Sequence, residues 1–383
     1  MPYQIVIAIG LIVFTVNLIL NLQHLKSVKN HREITQPLPL VSVLIPARNE
    51  ERNIDACLES LLKQDYARFE IMVLDDGSTD STAETVQQIT ARDGRVQYIK
   101  GEPLPEGWMG KPFACHQLAK KAGGDWLLFI DADTIHEPEM LSNVMGMALE
   151  LKPSLLSGFP RQLATSLTQK TVIPVFYFVI MSWMPLWWLQ RPDKPRALLA
   201  NGQFLLFPRD EYWRIGGHEA VKSRIMEDLW LGAAVPRHGG RMVAVDLSSV
   251  VFCHMYHSFG AMWHGFARSI YGVAAISPAG LLGLMVMGFL FYLAPFIWLC
   301  YQLFAVQATS VAGWVVVILQ VVLIVVMRWL LCHRFGEPAI SVSLHPLGVT
   351  FFLMNGLYAF SRRMLGAGIE WKQRLYGPRS GFK

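Results

Sequence analysis

The chain has 383 residues and a net charge of +5; 52% of its residues are hydrophobic and only 16% are charged. This composition is too apolar for an ordinary soluble domain and too charged for a pure membrane bundle, so it indicates a soluble domain joined to membrane segments. No basic tract of the kind that follows phosphates is present in the sequence, which argues against nucleic-acid binding. The 5 cysteines form no C-x-x-C pair, so neither a zinc ribbon nor a disulfide framework is indicated.

The first predicted element is an apolar run from Tyr3 to Leu22, which has the length of a membrane-spanning helix. It lacks a basic start and a small-residue cleavage site, so we expect a retained anchor at residues 1–25 rather than a removed signal peptide. Lys26, Lys29 and Arg32 follow the run. By the positive-inside rule, the next segment lies in the cytosol.

From Val41 to about Lys152 the pattern changes to alternating strands and helices. The predicted strands are "VSVLIPA", "FEIMVLDDGS", "RVQYIKG" and "DWLLFIDAD". The predicted helices between them are "NIDACLESLLKQ", "STAETVQQITARDG" and "KPFACHQLAKKAGG". Such alternation predicts a mainly parallel sheet, and ligands of such sheets bind at the carboxyl ends of the strands.

Apolar segments return after this region. Residues 171–189 contain prolines and tryptophans, so we predict one or two helices lying in the membrane interface rather than a span. Residues 280–304 and 311–331 are predicted spans. Residues 344–360 precede a basic tail that a crossing would place outside, so we expect a re-entrant or interfacial segment. The predicted organisation is a multi-pass cell-membrane protein with an anchor at 1–25, a cytosolic domain at 38–270, a membrane region at 278–365 and a cytosolic basic tail at 366–383.

Two pairs of carboxylates follow predicted strands: Asp75 and Asp76 end the second, and Asp131 and Asp133 end the fourth. Buried carboxylates need a cationic partner, and Mg²⁺ or Mn²⁺ commonly joins one or two of them to substrate phosphates. The D-x-D pair is therefore a candidate diphosphate clamp, and Asp76 is a candidate for binding a nucleobase or ribose. Taken alone, the pairs also fit a helix cap and ordinary Asp/Gly/Ser turn chemistry.

Further candidates lie close to these carboxylates in the motifs. Ala47 leaves room for a ring and Glu50 can reach a ribose, although their motif also fits a simple helix start. Lys111 can neutralise a diphosphate or can be a surface lysine. Glu227 and Asp228 precede a helical run, where they supply either a general base or a helix N-terminal feature.

Three more residues are candidates for binding a ligand. Asn201 and Gln203 carry amides that can bind sugar hydroxyls. The turn at Gly216 and Gly217 can bring His218 near the site.

Together these motifs carry a resemblance. "VSVLIPARNEERNI", "VLDDGSTDST", "GWMGKPFACHQLA", "LLFIDADT", "NGQFLLF", "GGHEAV" and "EDLWL" resemble the family 2 glycosyltransferases over residues 40–270. More narrowly, the chain resembles the membrane-anchored branch that glucosylates hydroxylated carotenoids, with hopanoid-associated and ceramide-type relatives. The resemblance implies an α/β GT-A fold, a Rossmann-like mixed sheet that binds a nucleotide sugar, with transmembrane helices at both ends.

The resemblance also implies roles for individual residues. Asp76 would bind the uracil of a UDP-sugar, with Glu50 near the nucleoside and Lys111 along the donor. Asp131 would contact the ribose or the sugar and take part in holding the metal. Asp133 would hold Mn²⁺ or Mg²⁺ against the diphosphate. Asp228 would be the catalytic base, with Glu227 beside it.

The region after the base departs from the processive synthases of the family. They carry Q-x-x-R-W, whereas "MWHGFARSIYG" has Trp263 and Arg268 in another order and spacing, which argues against a polymerase. Arg268 either touches the diphosphate or lies at the membrane edge. His254, or alternatively His257, is a candidate additional metal ligand, as relatives use a histidine here. Trp371 and Arg374 in the tail either close over the donor or anchor the chain.

We therefore expect inverting, metal-dependent transfer of a hexose, with glucose as the expected sugar, from a UDP-sugar to a hydroxyl of a membrane lipid. A hydroxylated carotenoid or related terpenoid is the leading acceptor. The alternative is a polyprenyl-phosphate or other glycolipid glycosyltransferase of envelope polysaccharide synthesis, and a non-catalytic scaffold comes last because every expected acid is present. The sequence leaves the oligomeric state open.

Overall fold

The computed structural model of the protein describes residues 2–28, 37–191, 200–304, 310–372 and 374–377. Lys29, Arg32 and the end of the predicted tail lie outside these residues. The strands are β1 (Val41–Ala47), β2 (Phe69–Asp75), β3 (Val96–Lys100), β4 (Trp126–Ile130), β5 (Thr134–His136), β6 (Leu155–Phe159), β7 (Arg161–Gln162), β8 (Phe204–Pro208), β9 (Met242–Asp246), β10 (Val251–Cys253), β11 (Ile369–Trp371) and β12 (Arg374–Tyr376). The α-helices are α1 (Pro2–His24), α2 (Ile54–Leu62), α3 (Thr82–Arg92), α4 (Gly110–Lys121), α5 (Met140–Leu151), α6 (Leu167–Trp183), α7 (Leu186–Leu189), α8 (Arg209–Arg214), α9 (Glu227–Arg237), α10 (Phe259–Ile276), α11 (Pro278–Gly288), α12 (Ala294–Phe304), α13 (Val311–Phe335), α14 (Ile340–Ser343) and α15 (His345–Met364). A 3-10 turn covers Gly217–Val221, and a π-helical turn, Phe289–Leu293, joins α11 to α12.

These elements fall into two compact units. The sheet unit comprises residues 25–161 and 188–255. The helical unit comprises residues 2–24, 162–187 and 256–377. The helices α6 and α10 thus belong to the helical unit, and the functional domain boundaries at 38 and 270 stay a prediction.

The sheet unit is built on a seven-stranded mixed sheet in the order β3-β2-β1-β4-β8-β6-β9. Strand β1 is parallel to its neighbours β2 and β4, whereas β8 is antiparallel to both β4 and β6. The Val43, Leu44 and Ile45 side chains of β1 are fully buried, as expected for a strand covered on both faces. The predicted strands β1 to β4 and helices α2 to α4 are confirmed.

The helical unit contains three helices that are long and apolar enough to cross a membrane: residues 2–24, 278–304 and 311–335. They coincide with the predicted anchor and the two predicted C-terminal spans, and they indicate a membrane-associated protein. The segment 171–189 forms α6 and α7, two helices as expected, and 344–360 lies almost entirely in α15. Their depth in the membrane and the topology of the chain stay predictions.

Two asparagines of α1 satisfy the open carbonyl end of α6. The Asn21 amide donates to the carbonyls of Met181 (2.8 Å) and Met184 (2.7 Å). The Asn17 amide donates to Ser182 (2.9 Å) and Met184 (3.1 Å). The last carbonyls of a helix have no hydrogen-bond donor within the helix, so the two asparagines of α1 supply donors for the last carbonyls of α6.

A buried arginine ties α13 to its neighbours. The Arg328 guanidinium is fully buried and donates to the Pro174 carbonyl (2.8 Å) and to Ser341 Oγ (3.0 Å). It also pairs with Glu337 at 3.3 Å. Burial raises the pKa of Glu337 to about 7, against the lowering effect of Arg328. Charged groups in such surroundings persist only when paired, so the pair holds α13, α14 and α6 together.

Candidate active site

The carboxyl ends of β1, β2 and β4 bring the predicted donor residues to one edge of the sheet. Ala47, at the end of β1, lies opposite Asp75 at the end of β2. The Asp76 amide then donates to the Ala47 carbonyl at 2.8 Å. Asp131 directly follows β4, the other parallel neighbour of β1. Because parallel strands end on the same side, the acids that follow β2 and β4 flank Ala47.

Lys111 is the centre of an ionic cluster at this edge. Its Nζ lies 2.5 Å from Asp131 Oδ1 and 3.4 Å from Glu227 Oε1. Burial lowers the pKa of Lys111, but the Asp131 and Glu227 carboxylates outweigh it and hold that pKa well above its usual value. Lys111 is therefore a fixed positive charge, and it joins the motif after β4 to the one that opens α9.

Asp228 is held beside this cluster by two backbone groups. Gly202 N donates to its Oδ2 (2.8 Å) and Leu229 N donates to its Oδ1 (2.9 Å). A methyl group placed on Gly202 would lie 3.0 Å from Asp228 Oδ2 and 3.1 Å from Lys111 Nζ. The carboxylate and the ammonium thus flank Gly202, where a side chain would separate them.

The pKa of Asp228 is raised above its ordinary value. Burial is the largest cause. The Lys111 charge and the two backbone N–H groups lower the pKa without cancelling the effect of burial. A carboxylate with a raised pKa is a better proton acceptor than an ordinary aspartate.

The buried thiol of Cys115 shows how closely the acids gather. Its pKa is raised by burial and lowered by Lys111. The charges of Glu227, Asp131 and Asp76 raise it further. Three predicted site carboxylates therefore lie within electrostatic reach of one side chain on α4.

Asp133 and His254, the predicted metal ligands, are neighbours. The His254 amide donates to the Asp133 carbonyl at 2.9 Å, next to the β5–β10 pair. Across the described residues, no three His, Cys, Asp or Glu side chains are placed together to hold a metal ion. Mg²⁺ sites that also use substrate phosphates need only one or two carboxylates from the protein, so the donor set here still fits such an ion.

Glu50 lies where the loops after β1 and β2 are joined. Its amide donates to Thr82 Oγ1 at 2.8 Å, and its carboxylate accepts from Asn53 Nδ2 at 2.9 Å. With Asp131 and Asp133, Glu50 contributes to raising the pKa of Cys57, for which burial is the main cause. Glu50 and both acids that follow β4 thus lie within electrostatic range of Cys57.

A comparison with known proteins supplies the family. The model of the family described as "Glycosyl transferase family 2" matches residues 42–193. Residues 42–193 therefore resemble a family 2 glycosyltransferase domain. It is 24% identical over 368 residues to the 4,4'-diaponeurosporenoate glycosyltransferase of Staphylococcus aureus, covering 94% of this chain and 93% of that protein. It is 27% identical over 281 residues to the enzyme of the same name from Staphylococcus haemolyticus, covering 70% of this chain and 71% of that protein.

A solved structure shares the fold. The mannosyltransferase of Pyrobaculum calidifontis, determined in complex with GDP-Man and Mn²⁺, is 16% identical, with a TM-score of 0.52. The match covers 93% of this chain and 99% of that one. It confirms the predicted GT-A-like α/β mixed sheet with long apolar helices at both ends.

The predicted acceptor residues make hydrogen bonds within their own chain. Asn201 Nδ2 donates to the Gly158 carbonyl (3.2 Å), and Gln203 Nε2 donates to Cys253 Sγ (3.0 Å). His218 is buried, with Nδ1 2.9 Å from the Tyr212 hydroxyl. Burial lowers the pKa of His218 to about 3, so its imidazole is neutral. These contacts position the loops, and a direct contact with an acceptor stays a prediction.

One predicted donor residue belongs to the helical unit. Arg268 lies on α10 of that unit, whereas the other predicted donor residues lie in the sheet unit. Arg374 lies on β12 of the helical unit, and the side chain of Trp371 is outside the described part.

Two site residues were missed in the sequence. Gly202 lies between Asn201 and Gln203, and the sign in the sequence that could have indicated it is a glycine between these two amides. Cys115 follows Lys111 by four residues, a spacing that places both on one face of a helix.

Proposed function

We propose that this family 2 glycosyltransferase transfers a hexose, with glucose as the leading candidate, from a UDP-sugar to a membrane lipid with inversion. The observation that carries the proposal is the position of Asp228 beside the Lys111–Asp131–Glu227 cluster at the carboxyl ends of the strands. A positive charge for a leaving diphosphate and a carboxylate for an incoming nucleophile are thereby adjacent.

A metal ion is part of the proposal. Asp133 would hold Mn²⁺ or Mg²⁺ with His254 as an additional ligand, and donor phosphates would complete the shell. When bound, such an ion stabilises negative charge on the leaving diphosphate. Asp131 is less accessible to it, because Lys111 already occupies one of its oxygens.

The chain's own residues account for the remaining chemistry. The acceptor oxygen forms a bond to the anomeric carbon while the bond to the UDP oxygen breaks, and Asp228 takes the acceptor proton. Lys111 balances charge on the departing diphosphate. Asp76 and Glu50 would bind the nucleoside. General-base assistance contributes about 10²–10⁴-fold.

The acceptor is proposed to be a carotenoid or related terpenoid that carries a hydroxyl group. The long apolar helices favour a lipid, and the staphylococcal relatives are named for a carotenoid carboxylate. A carotenoid carboxylate is therefore the second candidate. It would arrive already ionised, so it would depend on Asp228 much less than an alcohol does.

Expression in a carotenoid-producing host, followed by mass spectrometry of total lipids, tests the proposal. We expect glycosylated pigment from the wild type and at least about 10²-fold less from Asp228→Asn if the acceptor is an alcohol. The matched control is Asp55→Asn, an exposed acid on α2. Glycosylated polyprenyl phosphate without glycosylated pigment would favour the envelope alternative. No lipid product, together with no UDP released from UDP-glucose, would refute the proposed function.

A further inference from the structure

A cavity of about 400 Å³ lies in the sheet unit against α4 and the turn at Gly217–Val221. Its lining includes Glu102, Trp108, His116, Lys120, Lys121 and Glu219. The volume falls in the range of about 300–1,000 Å³ that is usual for small-molecule sites.

The cavity lies on the side of α4 that faces away from the proposed active site. Phe113, His116, Gln117 and Lys120 line it and are spaced three and four residues apart, so they share one face of the helix. Lys111, which meets Asp131, points from the opposite face. An occupant would therefore be separated from the donor by the thickness of a helix.

A buried imidazole in the cavity wall has an unused hydrogen-bonding atom. His116 is 5% exposed, and its Nδ1 has no hydrogen-bond partner. Burial, followed by the charge of Lys120, lowers its pKa below the ordinary value, so the ring is neutral. Buried polar atoms are rarely left without a partner in native proteins, which indicates a polar occupant.

The charges around the cavity have both signs. Its lining includes the exposed lysines Lys120 and Lys121 and the exposed glutamates Glu102 and Glu219. The Glu102 amide donates to Gln117 Oε1 at 2.9 Å, which fixes this edge to α4. A purely anionic ligand would meet two carboxylates, and a purely cationic one would meet two lysines.

The indole of Trp108 adds a surface for a cation. Its ring centroid lies 5.0 Å from that of His116, and Lys222 Nζ lies 6.0 Å from the Trp108 centroid. An ammonium group over an indole face is attracted by the ring, and the Lys222 ammonium already lies over this one.

We propose that this cavity binds a zwitterion with a phosphate and an ammonium group, of the phosphoethanolamine type. The phosphate contacts Lys120 and Lys121 and accepts a hydrogen bond from His116. The ammonium lies against Trp108 and Glu219. This chemistry occurs both in free phosphoethanolamine and in the headgroup of phosphatidylethanolamine.

Isothermal titration calorimetry on the full-length protein in detergent micelles tests the site, with phosphoethanolamine, inorganic phosphate and ethanolamine as probes. We expect phosphoethanolamine to bind at least about tenfold more tightly than either single-charge probe. Trp108→Ala and Lys120→Gln should each weaken it by about tenfold. Lys63→Gln, which removes an exposed lysine after α2, should leave it unchanged.

Both test variants change exposed or half-buried side chains, and an unchanged affinity for UDP verifies the fold. No binding of phosphoethanolamine at millimolar concentration would overturn the proposal. Equal binding of inorganic phosphate, or wild-type affinity in Trp108→Ala, would do so as well.

Nanodiscs distinguish the two sources. If the lipid headgroup occupies the cavity, phosphatidylethanolamine nanodiscs will block the added phosphoethanolamine and phosphatidylglycerol nanodiscs will not. If the free compound is the ligand, it will bind in both. Either result supports the site, and failure to bind in phosphatidylglycerol nanodiscs counts against it.

Discussion

Replacing Gly202 with alanine tests the geometry around the proposed base most directly. The new methyl group would lie 3.0 Å from Asp228 Oδ2 and 3.1 Å from Lys111 Nζ, so one or both must move by a few tenths of an ångström. A misplacement of 1 Å can cost about 10²-fold in rate. For this smaller movement we expect about a tenfold loss in kcat/KM, which corresponds to ~1.4 kcal/mol of transition-state stabilisation.

The stability of the same variant should change little. Gly202 does not have a positive φ, so alanine fits its backbone, and the smaller freedom of the unfolded chain contributes about 0.4–1 kcal/mol of stabilisation. This gain offsets part of a packing cost of about 1–3 kcal/mol. We therefore expect a fall of only a few degrees in the thermal midpoint.

The assay is release of UDP from UDP-glucose with a lipid acceptor, measured beside the thermal midpoint. Gly94→Ala is the matched control, because a methyl group at Gly94 meets nothing within 4 Å. If Gly202→Ala kept more than half of the wild-type kcat/KM while the protein stayed folded, the proposed arrangement of Asp228 and Lys111 would be incorrect.

Three further predictions follow from the same contacts. Because burial raises the pKa of Asp228, kcat/KM should fall as the pH drops through a value above the usual aspartate range. Lys111→Met removes a positive charge that lowers this pKa, so in that variant the fall in kcat/KM should begin at a higher pH. EDTA should abolish turnover and Mn²⁺ should restore it, while Asp133→Asn should raise the Mn²⁺ concentration for half-maximal rate by at least about tenfold. Arg328→Met should destabilise the protein by about 3–5 kcal/mol, seen as a lower thermal midpoint, and adding Glu337→Gln should recover most of the loss.

Each of these has a clear contrary result. If kcat/KM fell at the same acidic pH in Lys111→Met as in the wild type, this lysine would not set the charge state of the base. Full activity in EDTA, or an unchanged Mn²⁺ requirement in Asp133→Asn, would remove the metal from the proposal. A double variant no more stable than Arg328→Met would show that the buried glutamate is not what makes the single change costly.

The strands that could be predicted are those that local pattern determines. β1, β2 and β4 are continuous apolar runs that end in turn-forming or acidic residues, so both their type and their carboxyl ends can be predicted. β6, β8 and β9 are runs of five residues whose place in the sheet depends on distant partners. Runs this short do not distinguish strand from buried helix, and they were not predicted.

The same distinction holds for the site. The acids after β2 and β4 and the pair that opens α9 all belong to short motifs that can be recognised in the sequence. That the acids after β2 and β4 lie close together follows from parallel strands ending on one side of the sheet. The contact between Gly202 and Asp228 joins residues 26 positions apart, and nothing local indicates it. The link from Gln203 to Cys253 spans 50 positions and is equally hidden.

The amides of Asn17 and Asn21 have a practical consequence for anyone who wants to prepare this protein without its first helix. Deleting residues 1–24 would remove an apolar helix and would also leave the carbonyls of Met181, Ser182 and Met184 without these donors. Each buried carbonyl that loses its hydrogen-bond donor destabilises the protein by about 1–3 kcal/mol. The amino-terminal helix is thus a structural component of the helical unit, and a shortened version of the protein should retain it.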